Sequence, residues 1–256
     1  MQKITTQKIT IPNLLNNIIA FQTTANFGDV KSKNLNQNLL QLINKPNCKI
    51  CFVNQIHGDT IFEINAENIN KITPNFLPTA DAIFTNQNNI ACCIMTADCL
   101  PVLLFDSNAK FIASLHCGWK SLHKNIISKT LQKFFANNIF ATDIFVWLGA
   151  CIQQCCFEVG EDVFNAFINN NSENTNAFLP IKQNDINNKK YLANLQQLAT
   201  NELLANNILP TNIFKTDDCT FCCKNDNNNN ANNYKYFSYR RDKGITGRMA
   251  TVIVKI

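Results

Sequence analysis

Four short apolar segments follow one another in the middle of the chain, and they limit the folds that it can adopt. They are residues 81–84 (DAIF), 90–95 (IACCIM), 101–105 (PVLLF) and 111–115 (FIASL). Each is too short for a typical helix and is bounded by polar or turn-forming residues, which predicts buried strands joined by turns. The last segment runs directly into His116, so an imidazole is expected at the end of a buried strand.

The rest of the sequence alternates between strand and helix patterns. Further strands are predicted at 49–53, 60–64, 144–149, 212–215, 236–239 and 249–255. Helical spacing of apolar residues predicts helices at 121–138, 161–168 and 192–205. No internal repeat and no linker rich in proline or glycine divides the chain. We therefore predict an α/β fold of mixed strands and helices, in which residues 1–256 form a single domain.

The composition is that of a globular protein with a sizeable core. Of the 256 residues 46% are hydrophobic, and the formal net charge is only +5. This mild excess suits an anionic small molecule better than nucleic acid. We find no signal peptide, and no apolar stretch reaches the roughly 18 residues of a membrane-spanning helix. A cytoplasmic protein without membrane contact is predicted, and its oligomeric state is left open.

The chain has twelve cysteines, which we expect to be reduced thiols in the cytoplasm rather than a disulfide framework. Most lie in apolar contexts and are predicted to be small core residues. These are Cys92, Cys93, Cys151, Cys155 and Cys156. The pairs Cys48–Cys51 and Cys219–Cys222 have the CxxC spacing of a metal knuckle, but they lie far apart in sequence. The distance between them argues against a structural zinc ion.

Two of the three histidines and one cysteine fall at predicted strand ends or turns. His57 precedes a glycine in a polar loop, Cys99 precedes a proline between two apolar strands, and His116 ends a third strand. A lone histidine there would most simply be a buried core residue. Together, two imidazoles and a thiolate suit zinc and leave a fourth position open, as in a catalytic site. We expect His123 on its helix and Cys117 on the opposite strand face to lie outside this set.

Several motifs occur in the order seen in one protein family. They are QIHGD, TADC, LHCGWK, FEVGEDV and YFSYRRDKGITGRM. With these motifs the chain resembles the YfiH-type laccase-domain family from about residue 20 to its end. Members of that family are described as polyphenol oxidases and as purine nucleoside phosphorylases. The resemblance implies mixed sheets sandwiched between outer helices and a zinc ion held by His57, Cys99 and His116.

The resemblance further implies phosphorolysis of adenosine, inosine and methylthioadenosine, and deamination of adenosine. Some members are linked instead to editing of peptidoglycan precursors. The chain departs from the family pattern at three places: Lys120-Ser121 stands for Arg-Gly, Gly149-Ala150 for Gly-Pro, and Thr23-Thr24 for an early Thr-Arg pair. The last departure concerns a phosphate or substrate pocket, so it bears on phosphate use more than on the metal.

Roles can be assigned to other polar residues near these motifs. Arginine side chains present several donors to phosphate or ribose oxygens. We therefore assign substrate or phosphate binding to Gln55, Lys120, Arg240, Arg241 and Arg248. A zinc ion can lower the pKa of its bound water to roughly 7, so this zinc-bound water is the expected nucleophile for deamination.

Acidic residues beside the apolar strands are the remaining candidates. Asp81 and Asp98 are assigned catalytic roles, either orienting a ligand imidazole or accepting a proton. Glu158 could act in the same way, but we favour a capping or turn role for it.

Three other functions remain open at this point. Cys99 and His116 could form a nucleophile–base pair of a metal-independent cysteine hydrolase or deamidase. The zinc ion could be structural, in a binding protein without turnover. A multicopper oxidase needs many imidazoles, which three histidines cannot supply. Polyphenol oxidase activity is therefore a secondary alternative, with a single copper ion near Met95 in place of zinc. The Asn-rich insertion 227–233 could cover the pocket or lie apart from it.

Overall fold

The computed structural model describes residues 6–8, 16–31, 35–45, 47–73, 77–182, 189–225 and 233–256. The Asn-rich insertion 227–233 lies outside these residues except for its last position. No helix within the described ranges is long and apolar enough to cross a membrane.

A five-stranded mixed sheet contains both ends of the described chain. Its order is β1-β2-β14-β6-β3, with β3 parallel to β6 and the other pairs antiparallel. The strands are β1 (Thr6–Lys8), β2 (Ile18–Thr23), β3 (Lys49–Cys51), β6 (Ile90–Thr96) and β14 (Met249–Lys255). Consecutive residues of β6 and β14 are buried, so both faces of this sheet are covered.

A six-stranded mixed sheet forms the second layer. Its order is β13-β9-β7-β8-β5-β4. The strands are β4 (Ile61–Ile64), β5 (Ala82–Thr85), β7 (Leu100–Asp106), β8 (Ile112–Cys117), β9 (Ile144–Leu148) and β13 (Ile213–Lys215). A small antiparallel sheet, ordered β10-β12-β11, stands beside it. It consists of β10 (Glu158–Gly160), β11 (Phe178–Ile181) and β12 (Lys190–Ala193).

Helices cover the outer faces of the two large sheets. They are α1 (Leu35–Ile43), α2 (Trp119–His123), α3 (Ile126–Ala136), α4 (Glu161–Asn170) and α5 (Leu195–Ala205). Leu39 and Ile43 of α1 pack on the five-stranded sheet. Helices α3 and α5 pack on the six-stranded sheet, where Leu131 and Leu203 are fully buried. The predicted arrangement of mixed sheets between outer helices is confirmed.

The inner faces of the two sheets pack against each other and form a core of their own. Cys92 and Ile94 of β6 meet Leu103 and Phe105 of β7 there. The chain passes between the two large sheets four times, and two of these crossings carry candidate site residues. One is the loop between β3 and β4, and the other is the three-residue turn between β6 and β7.

Three secondary-structure predictions were wrong. The helix predicted at 121–138 is two helices, because Asn125 adopts a left-handed conformation with φ of 59° between α2 and α3. The helix predicted at 192–205 begins at residue 195, where the Asn194 side chain accepts the N–H of Gln197 and caps it. Residues 236–239 form no strand, since they enter a turn in which Asp242 N donates to Ser238 O.

Candidate functional site

Two of the crossings between the sheets and the end of β8 bring His57, Cys99 and His116 together. His57 lies in the β3–β4 loop with a φ of 58°, and Cys99 ends the turn between β6 and β7. His116 lies on β8, paired with Pro101 of β7. One nitrogen or sulfur atom from each of the three side chains lies within 4.8 Å of the other two.

The spacing of these atoms fits a single metal ion. The Cys99 Sγ lies 3.7 Å from the His57 Nε2, and the two imidazole centroids are 4.7 Å apart. Ligands at tetrahedral positions around zinc would place a sulfur and a nitrogen about 3.6 Å apart, given Zn–S near 2.3 Å and Zn–N near 2.1 Å. Two imidazoles and a thiolate suit zinc and copper alike. The three residues could therefore hold either ion and leave one position open.

The Asp81 carboxylate is hydrogen-bonded to His116 and to the loop that carries His57. Its side chain is fully buried, and its Oδ1 accepts hydrogen bonds from the His116 Nδ1 at 2.8 Å and the His57 N–H at 2.9 Å. Its Oδ2 accepts the N–H groups of Gly58 at 2.6 Å and Ile56 at 3.2 Å. The carboxylate thus orients one imidazole so that its Nε2 faces the other two ligand atoms, and it fixes the loop that carries the second imidazole.

The charges in the cluster favour the ionised thiol. Burial alone would raise the pKa of Cys99, but the imidazoles of His116 and His57 outweigh it and hold that pKa below its usual value. Burial alone would lower the pKa of His116, but Cys99 and Asp81 outweigh it and raise that pKa. Burial would likewise raise the pKa of Asp81, yet the His116 hydrogen bond and the loop N–H groups keep it low. A thiolate is the form of cysteine that binds metals.

Gly118 leaves no room for a side chain beside the cluster. It follows β8 directly and precedes α2. A Cβ atom at this position would lie 3.0 Å from both the Cys99 Sγ and the His57 Cδ2. The glycine of LHCGWK therefore allows the backbone to pass close to two of the three candidate ligands.

Asp98 lines the cavity, but its carboxylate is bonded to neither imidazole. It has a φ of 91°, and its two carboxylate oxygens accept the Thr220 hydroxyl and the Arg240 N–H, each at 2.7 Å. Its carbonyl accepts the N–H of Ile152 at 2.9 Å. The carboxylate is therefore bonded to two neighbouring segments instead of to either imidazole. It positions the cavity wall, which corrects the expectation that it orients a ligand imidazole; its role as a proton acceptor stays a prediction.

A cavity of about 610 Å³ opens beside the cluster, with His57, Cys99 and His116 in its lining. Such a volume is ordinary for a small-molecule site. Part of the wall is apolar or aromatic: Leu77, Met95, Trp119, Ile152, Phe157, Leu195 and Tyr239. Four cationic side chains also line it: Lys31, Lys120, Arg240 and Arg248. This combination suits a ligand with a flat apolar part and an anionic part.

The predicted substrate contacts fall into two groups. Lys120, Arg240 and Arg248 line the cavity, and each has a cationic group within 6 Å of the centre of an aromatic ring. Lys31 lines it as well and was missed, because it stands in no recognised motif. Gln55 also lines the cavity, but its amide is bonded to the backbone of Met95 at 2.7 and 2.8 Å.

Arg241 lies elsewhere, and the prediction that it contacts substrate was wrong. All five of its N–H donors are used within the protein. They reach the Asp242 carboxylate and the carbonyls of Thr220, Phe221 and Tyr236. Its guanidinium also stacks 3.9 Å from the centre of the Tyr234 ring. Arg241 therefore holds together the segments behind the cavity.

Other candidates also lie apart from the cluster. His123 is bonded to Asn170 at 3.1 Å on the far side of α2, and Cys117 is fully buried in the helix-covered core. Glu158 faces Lys190 at 3.8 Å. These positions agree with the exclusion of His123 and Cys117 and with a structural role for Glu158.

The cysteine predictions hold only in part. Cys92, Cys93 and Cys151 are fully buried, as predicted for core residues. Cys155 is exposed and Cys156 half-buried, so the core prediction was wrong for both. They face the Cys219–Cys222 pair, and all four sulfur atoms lie within 4.8 Å of one another. Separation in sequence was therefore a poor guide for the Cys219–Cys222 pair, because its partners, Cys155 and Cys156, do not have CxxC spacing.

Comparisons with known proteins agree with this architecture. A family described as multi-copper polyphenol oxidoreductase laccase matches residues 20–255. A Haemophilus influenzae protein named purine nucleoside phosphorylase is 35% identical over 239 residues, which cover 92% of this chain and 86% of the relative. The Escherichia coli purine nucleoside phosphorylase YfiH is 35% identical over 205 residues, 80% of this chain and 73% of the relative.

Solved structures show the same fold. A Neisseria meningitidis protein superposes with a TM-score of 0.77 at 28% identity and covers 98% of both chains. A Bacillus licheniformis YfiH protein superposes with a TM-score of 0.80 at 22% identity and covers 94% of both. The second comparison supports the fold alone. With the family match over nearly the whole length and relatives at 35% identity, the chain belongs to the YfiH-type laccase-domain family.

Proposed function

We propose that this protein is a zinc-dependent purine nucleoside phosphorylase. Its substrates would be adenosine, inosine and methylthioadenosine, and it would also deaminate adenosine. Relatives that are 35% identical carry the name purine nucleoside phosphorylase. The observation that carries the proposal is that one cavity is lined by the His57, Cys99 and His116 cluster, by four cationic side chains and by aromatic residues.

The cluster would hold the zinc ion. Its donor set and the 3.7 Å separation of the Cys99 and His57 ligand atoms fit zinc, and Asp81 keeps the His116 Nε2 directed at the site. When bound there, zinc would supply Lewis-acid stabilisation of developing negative charge. Copper in the same place would be the alternative ion, and a multicopper centre is excluded by the count of three histidines.

The cavity walls would bind the two reactants. In phosphorolysis the bond between C1′ and the purine nitrogen breaks, a phosphate oxygen bonds to C1′, and the departing base takes up a proton. Lys31, Lys120 and Arg248 would hold the phosphate, since cations at this wall offset its charge. Phe157 and Trp119 present apolar surface for the base. In deamination water would replace the amino group at C6, with release of ammonia.

The first test is chromatography of adenosine incubated with metal-quantified protein, with and without phosphate. Adenine that forms only with phosphate is the expected result, with inosine as a minor product. The His57→Ala variant should lose both products and the metal ion bound by this cluster. If it retains wild-type activity, or if adenosine stays untouched by the wild type, the proposal is wrong. Peptidoglycan precursors would then be the next substrates to assay.

A second test concerns phosphate. Because Thr23-Thr24 replaces the early Thr-Arg pair, we expect a high phosphate KM, or deamination that competes with phosphorolysis. Arg248→Met should raise the phosphate KM further, by about tenfold or more, since a hydrogen bond to a charged group contributes roughly 1.5–3 kcal/mol. Lys215→Met, an exposed cation outside the cavity, is the matched control. Saturation at micromolar phosphate would contradict this reasoning.

One observation favours a second candidate. Asp81, His116 and Cys99 are arranged as an acid, a base and an acidified thiol, as in cysteine hydrolases. A chelator separates the two functions. Activity that survives metal removal and is lost on alkylation of Cys99 would support the hydrolase, whereas activity restored by added zinc would support the phosphorylase.

A further inference from the structure

Four cysteines form a second cluster behind the cavity, separate from the first one. Cys155 and Cys156 lie in the loop between β9 and β10, and Cys219 and Cys222 lie in the turn after β13. The Cys155 Sγ is 3.5 Å from the Cys156 Sγ and 3.9 Å from the Cys222 Sγ. All four sulfur atoms lie within 4.8 Å of one another.

These distances fit a metal ion better than a disulfide. A disulfide brings two sulfur atoms to about 2.05 Å. Four thiolates around zinc at about 2.3 Å would form a tetrahedron with edges of about 3.8 Å. The separations of 3.5 Å and 3.9 Å fall on either side of that edge length. Four soft sulfur donors in a tetrahedral group are the ligands of structural zinc sites.

Backbone contacts hold the two loops in place for such a site. The N–H of Gln153 donates to the Cys219 Sγ at 3.4 Å. The N–H of Thr220 donates to the Cys151 carbonyl at 2.9 Å, and Cys151 and Cys219 form a parallel bridge. The turn from Cys219 closes through a 2.9 Å bond from the Cys223 N–H to the Cys219 carbonyl. The loops are thus already joined by the protein before any metal binds.

We propose that Cys155, Cys156, Cys219 and Cys222 bind one zinc ion with a structural role. All four positions around the ion are filled by the protein, so the site has no place for substrate. Cys223 is the neighbouring thiol outside the set: its Sγ lies 3.7 Å from Asp218 Oδ1 and 3.8 Å from the Lys224 carbonyl.

The bound ion would fix the wall of the cavity. Ile152 and Phe157, at either side of the first cysteine pair, line the cavity. Thr220, between the second pair, donates to Asp98 in the turn that carries Cys99. The zinc ion would therefore add a further link between two loops that backbone hydrogen bonds already join, next to residues that line the cavity.

The stoichiometry of zinc tests this proposal without any assay of activity. Protein purified under reducing conditions should contain two zinc ions per chain. His57→Ala should contain one, Cys222→Ser one, and the double variant none. Cys223→Ser is the matched control and should retain two. The inference does not depend on the proposed phosphorylase function, because neither the count nor the variants use a substrate.

Cobalt substitution identifies the ligands. After exchange of zinc for cobalt, the His57→Ala protein should keep strong near-ultraviolet thiolate-to-cobalt absorption, because four thiolates bind the ion. Cys222→Ser should lose most of this absorption. If Cys222→Ser fails to fold, the His57→Ala protein decides alone: one zinc ion per chain supports the proposal. No metal in that protein, a disulfide within the four cysteines on mass spectrometry, or iron in place of zinc would overturn it.

Discussion

Asp81→Asn should lower both the metal affinity and the stability of the protein, because this carboxylate holds two of the three segments that carry candidate ligands. Four N–H donors converge on its two oxygens: those of Ile56, His57 and Gly58, and the His116 ring nitrogen. An asparagine has a single acceptor oxygen at this point, and its amide nitrogen faces two donors whichever way it is turned.

The cost can be worked out from those contacts. Two donors lose their acceptor, one of them buried and the other partly exposed. At about 1–3 kcal/mol for the buried donor and less for the other, the free energy of unfolding should fall by about 1–5 kcal/mol. If the amide nitrogen faces His116, the imidazole gains stability by moving its proton to Nε2, the atom that the metal needs. Loss of a group that orients a metal ligand typically weakens metal affinity by 10–100-fold.

Chelator competition measures the metal affinity, and denaturant unfolding measures the stability. Asp106→Asn is the matched control. Asp106 is also fully buried, and its carboxylate accepts the N–H groups of Asn108, Lys110 and Phe111 far from the metal cluster. It should lose stability but keep its metal affinity. Wild-type metal affinity in Asp81→Asn would refute the role that we assign to the carboxylate.

Two further changes test other parts of the molecule. Gly118→Ala places a Cβ 3.0 Å from Cys99 and His57, so it should weaken metal binding by about tenfold while the protein stays folded. Chelator competition measures the affinity. An unchanged affinity would contradict this prediction, because it would mean that the two side chains can move away from the added methyl group without weakening the site. Burial raises the pKa of Glu202 from 4.5 to about 7, so the folded state loses stability as pH rises from about 4.5 through 7. Glu202→Gln removes this titration, and its Tm should change less between pH 5 and pH 8 than that of the wild type. An equal change in both proteins would contradict the raised pKa.

The central strands could be predicted because they consist of consecutive apolar residues. Strands β6, β7 and β8 are covered on both faces, so their sequences are continuous hydrophobic runs. The candidate ligands His57, Cys99 and His116 could be selected because each stands at the end of such a run or in the adjoining turn. They lie close together because the two sheets pack against each other, and the spacing of residues in the sequence does not reveal this contact.

Other features could not be predicted from local sequence patterns, because they depend on contacts between residues that are distant in the sequence. Asn125 breaks a continuous helical pattern by adopting φ of 59°, a conformation that asparagine tolerates but does not require. Arg241 was expected in the pocket because arginines bind phosphate, yet its donors are taken by carbonyls about twenty residues upstream. The four-cysteine cluster joins residues 67 positions apart, from Cys155 to Cys222.

The crossings between the sheets connect the chemistry of the site to the packing of the core. His57 and Cys99 lie on segments that bridge the two layers, while His116 belongs to one of them. A small change in the distance between the layers would therefore alter the size of the metal's coordination sphere. Leu103→Ala in the core between the sheets lies outside the cavity lining, yet we expect it to shift metal selectivity as well as stability. Packing in that interior would then help to set the distances between the three candidate ligand atoms.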